Sequence, residues 1–162
     1  MAEKKRDFKI RGMVEFDLPR VSEIDRLLFG EERVPTWPFS FEAYWSLYHP
    51  ELSFVAEVEG RVAGFVVGTM VEEEHSQSVL SLRHTIDRPS RHRKVGWIDM
   101  IGIDPAYQHM GIGRALVEAF DEECKRSGAV MRGIARESDE RLRNFLASIG
   151  FKKSDLIVYE RD

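Results

Sequence analysis

"IDMIGIDPAYQHMGIGRALVEAF", residues Ile98 to Phe120, runs from an apolar strand through a proline turn into a helix opened by two glycines. Helix-start amides have no intrahelical partner, and the helix dipole adds partial positive charge at that end. Gly111 and Gly113 remove side chains that would keep a phosphate from those amides, and Arg114 adds a nearby cation. Two familiar phosphate loops do not fit. Gly113 is followed by Arg114 and Ala115, not by the lysine and hydroxyl of a nucleotide-hydrolase loop. The dinucleotide fingerprint fails as well, because a third glycine is missing and no acid closes the next strand, "AVMRGIA". On the glycines alone, a tight turn with no ligand is the simpler reading.

Outward from this stretch, alternating signals give the order βααβββαβαβ. "DFKIRGM" reads as a first strand, and "DLPRVSEIDRLLF" as a helix with Asp17 as N-cap and Pro19 in its first turn. "SFEAYWSLYH" reads as a second helix capped by Ser40. Two β-rich runs flank "EG", Glu59–Gly60, which is a hairpin signal. Val95 to Ile103 forms a further strand, and the glycine loop leads into a helix stopped by Gly128. "SDERLRNFLASIG" is a helix capped by Ser138 and stopped by Gly150, before a final strand or pair in "FKKSDLIVYER". Such an order predicts an α/β fold around one sheet. With 162 residues and no repeat or linker, a single domain over 1–162 is expected.

Composition narrows the function. The chain is 43% apolar and 32% charged, as globular domains are, and its apolar runs are too short to span a bilayer. A charged N-terminus without an apolar signal core points to the cytoplasm. The net charge of -4 argues against a nucleic-acid binder. Arg83, Arg88, Arg91, Arg93 and Lys94 form a local basic stretch, either solvated or facing an anionic partner. Cys124 alone excludes an internal disulfide. His75, His84, His92 and His109 lack ligand spacing, so no metal site is expected.

Ile103, Asp104, Pro105, Gln108, Gly111 and Gly113 stand at the spacing of the acetyl-CoA-binding motif of the GCN5-related N-acetyltransferases, the GNAT superfamily, which this stretch strongly resembles. "RNFLASIGFKKSD" resembles that family's C-terminal motif through Phe145, Gly150 and Phe151. The resemblance implies a GNAT fold: one mixed, mostly antiparallel sheet flanked by helices, with splayed central strands. It implies acetyl-CoA as donor and no metal. Main-chain groups of Ile101, Gly102 and Ile103 would line the pantetheine arm, and Gln108, His109, Met110, Gly111, Ile112, Gly113 and Arg114 would cradle the pyrophosphate. Asp139 stands where the family often has a cofactor-contacting asparagine, although a first-turn acid stabilising its helix is an equal reading.

Leu146 stands where many members have a tyrosine that protonates the departing thiolate. The loss is not fatal to transfer, because a thiol of pKa about 8.5 already leaves tolerably near neutral pH. Tyr107 and Tyr159 are candidate substitutes without a sequence argument placing either beside the sulfur. Asp99 is the candidate base: its spacing puts it on one strand face with Ile101 and Ile103, among apolar neighbours that raise a carboxyl pKa. A carboxylate tied to an amide or an arginine is the competing reading.

The acceptor expected is a primary amine. Trp37, Phe39, Phe41, Tyr44 and Trp45 faintly resemble the substrate loop of ribosomal-protein-type N-terminal acetyltransferases, which favours a peptide N-terminus; a small-molecule amine is nearly as good. Phe41, Tyr44, Trp45 and Tyr48 also recur at the spacing of a buried helix face. Neither nucleic acid nor membrane is expected as a partner, and a homodimer is left open. The rival reading is a non-catalytic acyl-CoA-binding sensor on the same fold.

Overall fold

In a computed structural model, the described residues are 7–29, 41–48, 52–73 and 93–154. Five strands form one sheet in sequence order: β1 (Phe8–Gly12), β2 (Leu52–Val58), β3 (Arg61–Glu73), β4 (Arg93–Ile103) and β5 (Val130–Gly133). The first four pair antiparallel, and β5 joins β4 in parallel. Helices α1 (Leu18–Phe29) and α2 (Phe41–Tyr48) precede the β2–β3 hairpin, α3 (Ile112–Arg126) links β4 to β5, and α4 (Glu140–Ser148) follows. This is the mixed, mostly antiparallel sheet expected. Ser40, the basic stretch 83–91 and residues 155–162 of the expected last strand lie outside the described residues, and 151–154 carry no strand.

The hairpin turns at the residues its sequence marks. Glu59 (φ 49°) and Gly60 (φ 80°) are both left-handed, the arrangement of a two-residue turn that matches strand twist. Two apolar layers then cover the sheet. Val21 and Ile24 of α1, with Phe41 and Tyr44 of α2, pack on Val55, Phe65, Val67 and Met100. Leu116, Phe120 and Cys124 of α3 pack on Leu52, Ala56, Val58 and Val66 on the opposite face. Burial pushes the Cys124 thiol up to about 11, helped by Asp121 and Glu123, which suits an inert core thiol.

A partly buried ion pair ties β1 to the turn that leads into α1. Arg11 donates to both oxygens of Asp17 (2.7 and 2.8 Å) and to Glu57 (3.0 Å), while Asp17 also accepts from Val14 N (2.9 Å). Hydrogen bonding from Arg11 outweighs burial and holds Asp17 below the ordinary carboxylate range. Its folded pKa is depressed, so the stability it supplies is present above its unfolded pKa of about 3.9 and is lost as pH falls through the folded value. Asp17→Asn should cost on the order of 2 kcal/mol at neutral pH, and progressively less in acid. Urea unfolding at several pH values checks this; a cost independent of pH contradicts it.

Candidate active site

The sheet opens between β4 and β5. β5 pairs with β4 only from Val95–Val130 to Ile98–Gly133. Beyond that point, Asp99 to Ile103 have no strand partner on their outer edge among the described residues. A cleft of about 1170 Å³ enters there, lined by the end of β4, the turn and start of α3, residues 133–136 and α4.

Main-chain direction follows from one bond. Asp104 N donates to Ala63 O of β3 (2.9 Å), so the antiparallel alternation turns the groups of Gly102 inward to β3 and those of Ile101 and Ile103 outward to the cleft. Ile103 O already accepts from the Gln108 side chain (3.3 Å). Ile101 C=O and Ile103 N–H therefore form the edge to which an extended amide-bearing arm can add, with Ile101 N–H left open to the same cleft.

At the far end, Asp104 caps the turn by accepting from Ala106 N (2.8 Å), and its other oxygen accepts from Arg20 of α1. His109 (φ 65°) and Gly111 (φ 84°) are left-handed, so the loop reverses sharply before α3. Gly111 is the α3 N-cap and has no side-chain cap. The first i to i−4 bond is Ala115 N to Gly111 O (3.1 Å), which leaves the amides of Ile112, Gly113 and Arg114 directed at the cleft. Helix-start donors with left-handed residues before them form a concavity suited to a diphosphate. Two side chains serve the scaffold instead. Arg114 donates to Ser148 O of α4 (3.0 Å), and Gln108 Oε1 accepts from Arg141 (2.6 Å), so both brace the loop against α4.

Gly113 permits that bracing. A Cβ placed there would lie 3.1 Å from the Phe145 ring, which closes on the loop from α4. Gly113→Val should displace Phe145 and lower coenzyme A affinity about tenfold or more, roughly 1.4 kcal/mol, in calorimetric titration. Unchanged affinity would show that the loop does not hold the diphosphate.

Asp99 differs from the sequence expectation in one respect. β4 carries a bulge: Val67 faces Met100 and Gly68 faces Ile98, so Asp99 is the extra residue. Ile98, Ile101 and Ile103 pack on the α3 side of the sheet, whereas Met100 joins the α1–α2 side. Asp99 therefore does not share a face with Ile101 and Ile103. It turns towards α2, where Tyr44 Oη donates to its Oδ2 (2.6 Å) and Thr69 Oγ1 of β3 donates to the same oxygen (3.2 Å). It still lines the cleft. Burial pushes its carboxyl above the ordinary range, and the two hydroxyls pull it only part of the way back. Among the described residues, two hydroxyls hold it, and neither an arginine nor a backbone amide does.

Asp139, not Ser138, caps α4: its Oδ1 accepts from Leu142 N (2.9 Å) while the residue lines the cleft. Leu146 and Tyr107 also line the cleft, and Tyr159 lies outside the described residues. Of the aromatic segment, Phe41 and Tyr44 are core and Trp45 packs against them, while Trp37 and Phe39 lie outside the described residues. The sequence reading missed Tyr44 and Thr69 as partners of Asp99. Gly68 inside a strand pattern was the available signal for the bulge that brings them together. Among the described residues, no group of three or more His, Cys, Asp or Glu is placed to hold a metal, and no helix is long and apolar enough to cross a membrane.

The family model described as "Acetyltransferase (GNAT) family" matches residues 18–151. No curated protein sequence matches significantly. Among solved structures, the aminoglycoside N-acetyltransferase AAC(6')-Iy in complex with CoA superposes with a TM-score of 0.69 at 13% identity, covering 100% of this chain and 99% of that one. An aminoglycoside antibiotic 6'-N-acetyltransferase from Acinetobacter haemolyticus gives 0.68 at 16%, covering 95% and 97%. A transcriptional regulator from Bacillus halodurans gives 0.71 at 18%, covering 96% and 100%. At such identities the likeness is one of fold.

Proposed function

The chain belongs to the GNAT acetyltransferase family, and is thus an acetyl-CoA-dependent acyltransferase; we infer that it acetylates a primary amine by direct attack, with Asp99 as base. One observation carries the assignment. A half-buried carboxyl of raised pKa lines the same cleft as an open strand edge and a set of unbonded helix-start amides.

The residues present fit acetyl-CoA. Ile101 and Ile103 offer main-chain groups for the amide-bearing arm, with Gly102 between them. His109 and Met110 shape the loop, and the amides of Gly111, Ile112, Gly113 and Arg114 serve the diphosphate. Asp139 lines the same cleft and would face the arm with its cap bond to Leu142 already made. When bound, acetyl-CoA supplies a thioester carbonyl.

The chain's own groups then handle protons and charge. Asp99 Oδ1 takes a proton from the substrate ammonium, so that the amine nitrogen is free to form its bond to the carbonyl carbon. Ile101 N–H supports the carbonyl oxygen as the carbon–sulfur bond breaks. The new amide gives up a second nitrogen proton, the thiolate takes one from water, and one proton is released in net. Leu146 donates none, so the sulfur leaves as thiolate, as its ordinary pKa of about 8.5 permits. Cys124 of α3 is 0% exposed, facing the sheet, so it is not open to form a covalent acyl-enzyme.

A peptide or protein N-terminus is the acceptor this chemistry favours, because an α-amine of pKa about 8 asks less of a carboxylate base than a lysine near 10.4. A small-molecule amine is the second reading, favoured by the aminoglycoside acetyltransferases that share the fold. Initial velocities at varied acetyl-CoA and amine test direct attack. Intersecting patterns are expected; parallel, ping-pong patterns would overturn it.

A further inference from the structure

We propose that Tyr44 is a positioning residue for the base: its hydroxyl, with that of Thr69, holds Oδ2 of Asp99 so that Oδ1 is the oxygen presented to the amine. The proposal rests on the reading of Asp99 as base and adds a role for a residue that helical spacing assigns to the core.

The geometry is specific. Both bonds fall on one carboxylate oxygen, at 2.6 Å from Tyr44 and 3.2 Å from Thr69. Among the described residues, nothing bonds Oδ1. Two donors from different elements fix the carboxylate's rotation, since α2 supplies one and β3 the other. Tyr44 is 1% exposed, with its ring packed on Phe41 (centroids 6.2 Å apart), so its hydroxyl is aimed by the core and not by solvent. The bulge completes the arrangement. Without it, the strand's alternation would carry the following residues to the wrong faces, and Asp99 would lose its approach to α2.

A buried tyrosine that merely satisfies its hydroxyl would give the same distance. The two roles differ in what removal does. Tyr44 donates to the charged form of Asp99 and so favours it, opposing the burial that disfavours it. Of the charged groups on the surrounding elements, Glu42 of α2 meets Arg26 (3.8 Å), Glu72 of β3 meets Lys94 of β4 (3.7 Å), Arg132 of β5 lies over the Trp97 ring (5.6 Å), and Asp25 is buried on α1, which packs on α2, β3 and β4. The other titratable groups of the cleft, among the described residues, are Tyr107, His109, Asp139 and its arginines. Among the described residues, two hydroxyls thus stabilise the charge of Asp99.

The experiment follows the Asp99 carboxyl directly, by carboxyl-carbon NMR titration assigned with Asp99→Asn, and in parallel the acid limb of kcat/KM. In Tyr44→Phe both midpoints should rise together by about one pH unit, roughly a tenfold loss at pH values below both midpoints. Thr69→Val, which keeps the side-chain shape, should raise them less and guards against a folding defect in the first variant. An unshifted carboxyl in both variants overturns the role of Tyr44 while leaving Asp99 as base. A carboxyl that shifts without the kinetic limb overturns Asp99 as base, and the positioning role with it.

Discussion

Asp99→Asn is expected to lower kcat/KM for acetyl transfer by about 10²–10⁴-fold, the usual contribution of a positioned base, while coenzyme A affinity stays unchanged. Wild-type activity should rise with pH through the raised folded pKa of Asp99, and the variant should lack that limb. Stability should move the other way. A carboxyl with a raised folded pKa contributes stability that is fully present below its unfolded pKa and lost as pH rises through the folded value. At neutral pH the wild type therefore carries the cost of a half-buried charge, and the asparagine variant should unfold at a higher temperature. A protein that is more stable, binds cofactor and has lost turnover cannot have lost it by unfolding. Less stability with full activity would contradict the role assigned to Asp99.

Gly68→Ala carries the second large effect. A Cβ at Gly68 would lie 2.0 Å from Trp97 O and 2.6 Å from two ring carbons of Phe120. The ring can turn, but the carbonyl belongs to the neighbouring strand and cannot yield without undoing the bulge. The expected cost is roughly 3 kcal/mol or more, at the upper end for overpacking in a core. Activity should fall further than stability explains, because the same bulge aims Asp99 at Tyr44 and the cleft. Gly12→Ala is the control, since a Cβ there meets nothing within 4 Å, and it should change stability by less than about 0.5 kcal/mol. Denaturant midpoints for both variants decide the matter, and similar values for the two would contradict the account.

Features decided by neighbours in sequence were legible before any coordinates. The Glu59–Gly60 turn, the step from β4 through Pro105 to α3, and the glycines that open α3 all depend on local backbone preference, and each stands where the sequence placed it. Features decided across the fold were not. An unbroken two-residue alternation puts Asp99 with Ile101 and Ile103, yet the bulge opposite Gly68 inserts one residue and reverses the faces. Helical spacing assigns Tyr44 to the core, correctly, but says nothing of a hydroxyl that reaches a carboxylate 55 residues away. Arg114 reads as a cation beside phosphate until α4 brings the Ser148 carbonyl to it. Ser138 and Asp139 are both good N-caps by type, and only the course of the backbone selects the second.

Release of free thiol from acetyl-CoA tests the central claim most directly. It should be followed against peptide N-termini, lysine peptides, polyamines and aminoglycosides, with coenzyme A binding measured on the same protein by calorimetry. The account predicts binding together with amine-dependent release, strongest with one amine class. Tight binding with no release for any amine would contradict it, and would make the cleft a sensor of acyl-CoA.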